Sequence, residues 1–261
     1  MSRHPMASPI FAQRQTRLLA LVNSRGIVSV TELARRLDTS QMTIRRDLTL
    51  LDARGLLRRI RGGAMAVTVS RDLPLQRRER LELSAKAAIG RTAAALVKPG
   101  DTILLDAGTT VLALARSLRA ARSLTVVTNS LEVLAELRDR PGLRVVAVGG
   151  LVRHGSGSLT GPLAERALEE IRVDRAFLGT IGITPQWEAS NSDLDLAALQ
   201  RRVLSAARES YLLADHTKIG RTGLAIVGPL TAFSAVITDA GIASSALSQL
   251  ERHARKVVVA R

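Results

Sequence analysis

The feature that most restricts the fold of this chain is a series of short, almost wholly apolar runs, each ending in a polar residue or a glycine. DTILLD, LTVVTN, LRVVAVGG, RAFLGTIG, YLLAD, SAVITD and KVVVA recur from residue 101 to the end. Between them lie stretches whose apolar residues return at helical spacing: VLALARSLRA, LEVLAELRD, a helix over about 196–208, and ALSQLERHA. A strand with one wet face alternates polar and apolar residues, whereas a continuously apolar strand must be covered on both faces. The pattern therefore predicts an α/β fold with a mostly parallel, doubly wound sheet.

In open sheets of this kind ligands bind beyond the carboxyl ends of the strands. The polar residues of this chain collect there: Asp106, Gly108, Thr109 and Thr110, then Thr128 and Asn129, then Gly149 and Gly150, then Gly179, Asp215 and Asp239. DTILLDAGTT, followed by a helix, has the order strand, glycine turn, helix that aims backbone N–H groups at a phosphate. Taken alone it reads equally well as an ordinary strand-to-helix turn with a capping threonine. Asp215 with Lys218 reads either as part of a site or as a local salt bridge, and Asp174 and Asp239 as residues that position loops.

The first 66 residues have another character. Apolar residues from Phe11 through Leu18, Leu19, Leu21 and Val22 predict a first helix that stops at Arg25-Gly26. In SVTELARRL, Ser29 and Glu32 have capping-box spacing and Leu33, Ala34 and Leu37 form the inward stripe of a second helix. Ser40 caps a third helix, with Ile44, Leu48 and Leu51 on one face and Gln41, Thr43, Arg45, Arg46 and Thr49 on the other. Two short helices joined by a tight turn make a helix-turn-helix, and the polar face of the second can reach base edges in a major groove. LLRRIRGGAMAV then predicts a hairpin wing carrying Arg58, Arg59 and Arg61 toward a phosphate backbone or minor groove.

Charge agrees with this division. The first 80 residues hold sixteen arginines and six acids, and the remainder holds 22 basic and 17 acidic residues, within a net charge of +15. Aromatic residues make up only 2%, which disfavours stacking on single strands and leaves double-stranded DNA as the expected partner. There is no cysteine, and the four histidines at 4, 154, 216 and 253 are scattered, so neither disulfides nor a metal cluster is expected. No apolar run approaches a membrane span and the N-terminus lacks the core of a signal peptide, which makes a cytoplasmic protein the expectation. Residues 67–83 are polar and charged and read as a linker that turns helical near its end, with an α/β effector-sensing domain over 84–261.

The run ELARRLDTSQMTIRRDLTLLDARGLLRRIRGGA resembles the winged helix-turn-helix signature of the DeoR family of bacterial repressors, and residues 84–261 resemble that family's effector domain. The resemblance implies a fold similar to ribose-5-phosphate isomerase and coenzyme A transferases, and a transcription regulator of carbohydrate metabolism. It also implies a phosphorylated-sugar effector, operator DNA as partner, a homodimer or homotetramer, no cofactor and no catalysis. On this reading Gly108, Thr109 and Thr110 hold phosphate, Asp106 and Asn129 meet sugar hydroxyls, Thr128 and Gly150 line the site, and Lys218 supplies positive charge; Lys86 is a weaker candidate, because a lysine on a helix is most often exposed. The alternative is an isomerase-like enzyme with a DNA-binding appendage, and a further one is a scaffold whose basic head binds acidic surfaces. The chain departs from the family at PQWEASNSDLDLAALQRRVL: Trp187, Glu188 and Ala189 stand where glycine is usual, and Leu196 and Gln200 where glutamate and lysine are. Glutamine can act neither as a base nor as a cation. Trp187 reads as a core anchor, a subunit contact or a ligand wall.

Overall fold

A computed structural model describes residues 9–25, 27–53, 56–60, 62–66, 75–118 and 123–261. The chain divides into two compact units, Met1–Arg71 and Asp72–Arg261. Among the described residues no helix is long and apolar enough to cross a membrane.

In the first unit α1 (Pro9–Arg25), α2 (Val30–Arg36) and α3 (Gln41–Ala53) close on one core. Leu18, Val22, Leu33, Ile44, Leu48 and Leu51 are fully buried in it, at the helical spacings noted in the sequence. Ser29 caps α2 by accepting from Glu32 N at 3.1 Å, and Ser40 caps α3 by accepting from Thr43 N at 3.1 Å. The turn between them needs one left-handed residue, supplied by Asp38 at φ 48°, a conformation that aspartate tolerates better than most side chains. Asp47 is buried in α3 and receives Arg14 Nε of α1 at 2.7 Å.

The wing is larger than the expected hairpin. Among the described residues β1 (Ile27–Ser29), β2 (Leu57–Ile60) and β3 (Gly63–Ala66) form an antiparallel sheet with β3 in the middle. A three-residue strand carries no usable periodicity, so β1 was hidden inside the stop signal of α1. Gly63 is required at the crossing, since a Cβ there would stand 2.3 Å from Val28 O.

The second unit opens with α4 (Leu75–Glu79), inside the stretch expected to be linker, and α5 (Leu83–Ala94). The chain continues through β4 (Thr102–Leu105), α6 (Thr109–Ser117), β5 (Leu124–Thr128), α7 (Leu131–Leu137) and β6 (Leu143–Ala147). It then runs through β7 (Leu151–Arg153), β8 (Ser158–Thr160), α8 (Pro162–Glu169), β9 (Val173–Gly179), β10 (Gly182–Ile183), β11 (Glu188–Asn191) and α9 (Leu194–Ala206). It ends with β12 (Ala207–Leu213), β13 (Ala225–Pro229), β14 (Ala235–Asp239), α10 (Ser244–His253) and β15 (Val257–Ala260).

Among the described residues seven of these strands pair in parallel in the order β15-β14-β12-β9-β4-β5-β6. Alternate residues of one strand enter different cores. Ile103 and Leu105 of β4 pack with Ile89, Val111 and Leu114 of α5 and α6, while Leu104 faces the other way with Ala197, Leu199 and Val203 of α9. That is the double coverage the apolar runs required. From β4 the chain winds outward through β5 and β6, then returns to β9 on the other flank. The strand order therefore reverses between β4 and β9, and the crevice beyond their carboxyl ends is the topological switch point at which such sheets bind ligands.

Two small antiparallel assemblies were not visible in the sequence. β7 pairs with β8, and β10-β11-β13 form a separate sheet with a bulge between Ala189 and Ser190. The loop after β12 is clamped against β10 by Gly220 N donating to Ile183 O at 2.8 Å.

Candidate functional site

On α3 the side chains expected to read DNA stand on the outer face. Gln41, Arg45, Arg46 and Thr49 are exposed and Thr43 is half-exposed. Ser40 serves the backbone as a cap and its hydroxyl also meets Thr43 Oγ1 at 2.9 Å. Arg45 and Arg46 make no ion pair among the described residues, so both guanidinium groups keep their full donor sets. Arg59 donates from Nη1 to Thr49 Oγ1 at 2.8 Å and from its backbone to Asp52 Oδ1 at 3.2 Å. It therefore ties wing to helix, a more constrained place than a free arm along phosphates. Arg58 lies on β2 with its side chain outside the described residues, and Arg61 lies outside them entirely.

In the second unit Asp106 ends β4, Asn129 ends β5, and Gly179 ends β9 at the switch point. Asp106 is completely buried and its carboxylate is already surrounded by donors. Asn129 Nδ2 reaches Oδ1 at 3.0 Å, and Gln200 Nε2 and Gly179 N reach Oδ2 at 2.6 and 3.2 Å. Burial pushes this carboxyl up, and the hydrogen bonds from Gln200, Asn129, Ala107 and Gly179 oppose that shift. Gln200, itself buried, also donates to Gly179 O at 2.9 Å and accepts from Asn191 Nδ2 at 3.1 Å. So the residue in the lysine's place links β4, β9 and β11 through neutral contacts, and Asn191 is a member of the cluster that the sequence did not single out.

Asp106, expected to meet sugar hydroxyls, has no exposed surface, and both its oxygens accept from protein, so that it positions Asn129 and Gln200. Thr128 is likewise internal: its hydroxyl donates to Leu105 O at 2.7 Å and accepts from Ser130 N at 3.1 Å, tying β4 to β5. Gly150 is needed for packing, because a Cβ there would stand 2.6 Å from Thr160 O and 3.1 Å from Ala164 Cβ. Asn129 differs from these, since its buried Oδ1 has no hydrogen-bond partner among the described residues.

What remains open lies at the N-terminus of α6. Gly108 takes φ 153°, offers no side-chain cap, and has no atom within 4 Å of where a Cβ would stand. The hydroxyls of Thr109 and Thr110 have no partner among the described residues. By contrast α7 and α9 are capped by Ser130 and Asp193. A turn that presents first-turn N–H groups and two hydroxyls beside a positive helix end is suited to an oxyanion.

Across the same edge lies the loop after β12. Asp215 accepts from Thr217 N at 3.0 Å and so caps a short 3-10 turn; it makes no salt bridge with Lys218. Asp239 accepts from His216 N at 2.7 Å and Gly241 N at 2.9 Å, holding the loop as expected. Lys218 is half-buried with no ion pair among the described residues, and burial first of all pushes its ammonium below the usual lysine range. Lys86 is also not the exposed helix lysine the sequence suggested, since it is 5% exposed. Trp187 proves to be an anchor: it packs against the core below α9 and stacks on His253 with ring centroids 4.9 Å apart. It stands at φ 63° in the β10–β11 turn, where its N–H donates to Thr184 O at 2.9 Å, the position at which glycine is easiest.

Known proteins agree with both halves. Residues 14–70 match the DeoR-like helix-turn-helix domain and residues 82–240 the DeoR C terminal sensor domain. The HTH-type transcriptional regulator YgbI of Escherichia coli (strain K12) is 35% identical over 95% of this chain and 98% of its own length. The lactose phosphotransferase system repressor of Staphylococcus aureus (strain N315) is 33% identical over 87% of this chain and 91% of its own length. Among solved structures, ribose 5-phosphate isomerase A from Methanocaldococcus jannaschii overlaps 51% of this chain and 53% of its own at 20% identity, with a TM-score of 0.38, too loosely to carry an argument. With a winged helix-turn-helix in front, a doubly wound sensor sheet behind and relatives matched along nearly the whole chain, the protein belongs to the DeoR family of DNA-binding transcription regulators.

Proposed function

We propose that this regulator represses carbohydrate-utilisation genes in the cytoplasm and that a phosphorylated sugar held at the α6 N-terminus relieves the repression. The observation that carries the reading is the uncapped Gly108–Thr109–Thr110 turn, placed beside the switch point of the sheet with its hydroxyls unpartnered. The repressor among the relatives supports the sugar connection. Arg45, Arg46, Gln41 and Thr43 read the operator on this view, and Arg58, Arg59 and Arg61 of the wing stabilise its backbone. A homodimer or homotetramer presents two α3 helices to successive major grooves about 34 Å apart.

The test is a thermal-shift comparison of matched sugars and sugar phosphates, followed by operator binding with any compound that stabilises. At a hundredfold excess over Kd a ligand adds about 2.7 kcal/mol, a shift of several degrees. Stabilisation by phosphorylated compounds, lost in Thr109→Ala with operator binding intact, is the expected result. Equal stabilisation by the unphosphorylated sugars would overturn the phosphate cradle. Ligand and operator must weaken each other by the same factor, tenfold for each ~1.4 kcal/mol of coupling.

A further inference from the structure

Most polar groups on the outer face of α3 are already engaged within the protein. Gln41 Nε2 turns to Thr31 Oγ1 at 3.4 Å, and the Thr43 hydroxyl meets that of Ser40 at 2.9 Å. Thr49 Oγ1 donates to Arg45 O and accepts from Arg59 Nη1, both at 2.8 Å. What faces outward beside them is two guanidinium groups, those of Arg45 and Arg46, and one apolar side chain, Met42. Met42 is 73% exposed, more than any other large hydrophobic side chain among the described residues.

A single exposed methionine is ordinary on a protein surface. What distinguishes Met42 is its place. At about 100° per residue, Met42, Arg45, Arg46 and Thr49 share the arc opposite the buried stripe of Ile44, Leu48 and Leu51, and Met42 stands near the middle of that arc in the first turn. The first turn of a recognition helix is the part that meets base edges in a major groove. That groove offers one apolar group, the C5-methyl of thymine, and its other distinguishing groups are hydrogen-bond donors and acceptors. An apolar side chain pressed onto a donor or acceptor removes its water and returns nothing. Pressed onto the methyl, it buries both apolar surfaces at once, and the unbranched, polarizable end of methionine adapts its shape to the contact.

We propose that Met42 is a specificity-determining residue that closes on the C5-methyl of a thymine in the operator, beside guanines read by Arg45 and Arg46. The inference rests on the reading of α3 as the operator-facing helix and adds to it what the operator contains. Arg45 and Arg46 follow Met42 by three and four residues, a rise of about 4.5–6 Å. The thymine therefore lies about one to two base steps of ~3.4 Å from the guanines.

The experiment uses the full-length protein, and the probe is a duplex enriched by the wild type from a random-sequence library. Each thymine of that duplex is replaced in turn by uracil, which keeps every hydrogen-bonding group of thymine and lacks only the C5-methyl. Affinities are titrated at matched salt for the wild type, Met42→Ala and Met42→Leu. Alanine and leucine form helices at least as well as methionine, and the exposed position carries no core packing. The wild type is expected to lose about fourfold when the contacted thymine becomes uracil, the burial of one methyl-sized group. Met42→Ala is expected to bind thymine and uracil duplexes alike, and Met42→Leu to keep the preference. Arg45→Ala is expected to relax the requirement for guanine and leave the preference for the methyl in place. If the enriched duplex is bound over random DNA but no thymine-to-uracil change weakens the wild type, Met42 does not read a methyl, although α3 still reads the operator. A loss that is the same in Met42→Ala assigns the thymine to another group and equally overturns the proposal. If the wild type enriches no sequence, the reading of α3 falls and this inference falls with it.

Discussion

Replacing Gln200 by leucine should reveal how a buried carboxyl group with no cationic partner among the described residues is tolerated. The substitution nearly conserves volume but deletes the donor to Asp106 Oδ2, the donor to Gly179 O and the acceptor for Asn191 Nδ2, all in a fully buried cluster. Each core group left unsatisfied costs about 1–3 kcal/mol and a hydrogen bond to a charge about 1.5–3; since the three share one network, the whole loss is about 3–6 kcal/mol. For a unit of this size that is a fall in Tm on the order of 10 °C. The loss also carries a pH signature. Because Asp106 is raised in the folded state, its ionisation opposes folding, and the cost grows as pH rises from the unfolded carboxyl value of about 3.9 through the folded one. Gln200 holds that carboxyl down, so removing it raises the folded value further. The deficit of Gln200→Leu relative to wild type is therefore largest near neutrality and shrinks on acidification. Urea unfolding of both proteins between about pH 8 and about pH 5 measures it. A deficit that is independent of pH, or that grows in acid, would refute the coupling of Gln200 to the charge on Asp106.

Four further outcomes are expected. Arg45→Ala should weaken operator binding by about 1–3 kcal/mol with little change on random DNA if it reads a base; an equal loss on both in titrations at matched salt makes it a phosphate contact. Arg14→Ala strands the buried Asp47 and should destabilise the first unit by about 3–5 kcal/mol, read by denaturation, with Asp47→Asn in the same background recovering part of it. Gly90→Ala drives a methyl into the α6 backbone and should lower Tm, since overpacking costs about 1–3 kcal/mol; an unchanged Tm would mean α5 and α6 do not approach as described. Trp187→Gly relieves a left-handed residue worth about 1 kcal/mol but removes the stack on His253 and its core contacts. The net result should be a loss of stability in denaturant, and a gain would show the anchor to be dispensable.

The helix-turn-helix was legible because its signals are local: caps at Ser29 and Ser40 and inward residues three and four apart. The parallel strands were legible for the same reason, each being a continuous apolar run. What escaped was short or polar. β11 is Glu-Ala-Ser-Asn, a strand with no hydrophobic signature, and Ser190 is buried there with its hydroxyl donating to Gly182 O at 2.9 Å and accepting from Gly223 N at 2.8 Å. Gln200 looked like a lost lysine from the sequence; its partner Asp106 lies 94 residues away, and only the fold brings them together. Lys86 was discounted because a lysine on a helix is most often exposed; it is buried because its ammonium turns back onto Arg78 O and Leu81 O, in a stretch whose polar residues read as linker.

The short helix α4 that opens the second unit, fastened by Leu75 N donating to Gly155 O at 2.8 Å and by Glu79 pairing with Arg116 at 2.6 Å, has a practical meaning for anyone exchanging DNA-reading heads among such regulators. The sensor-domain match begins at residue 82, yet the fastenings at Leu75 and Glu79 lie before it. A chimera spliced at 82 would carry a complete sensor sheet and lose those two attachments, whereas one spliced at Asp72, the start of the compact unit, would keep the whole harness in its native context.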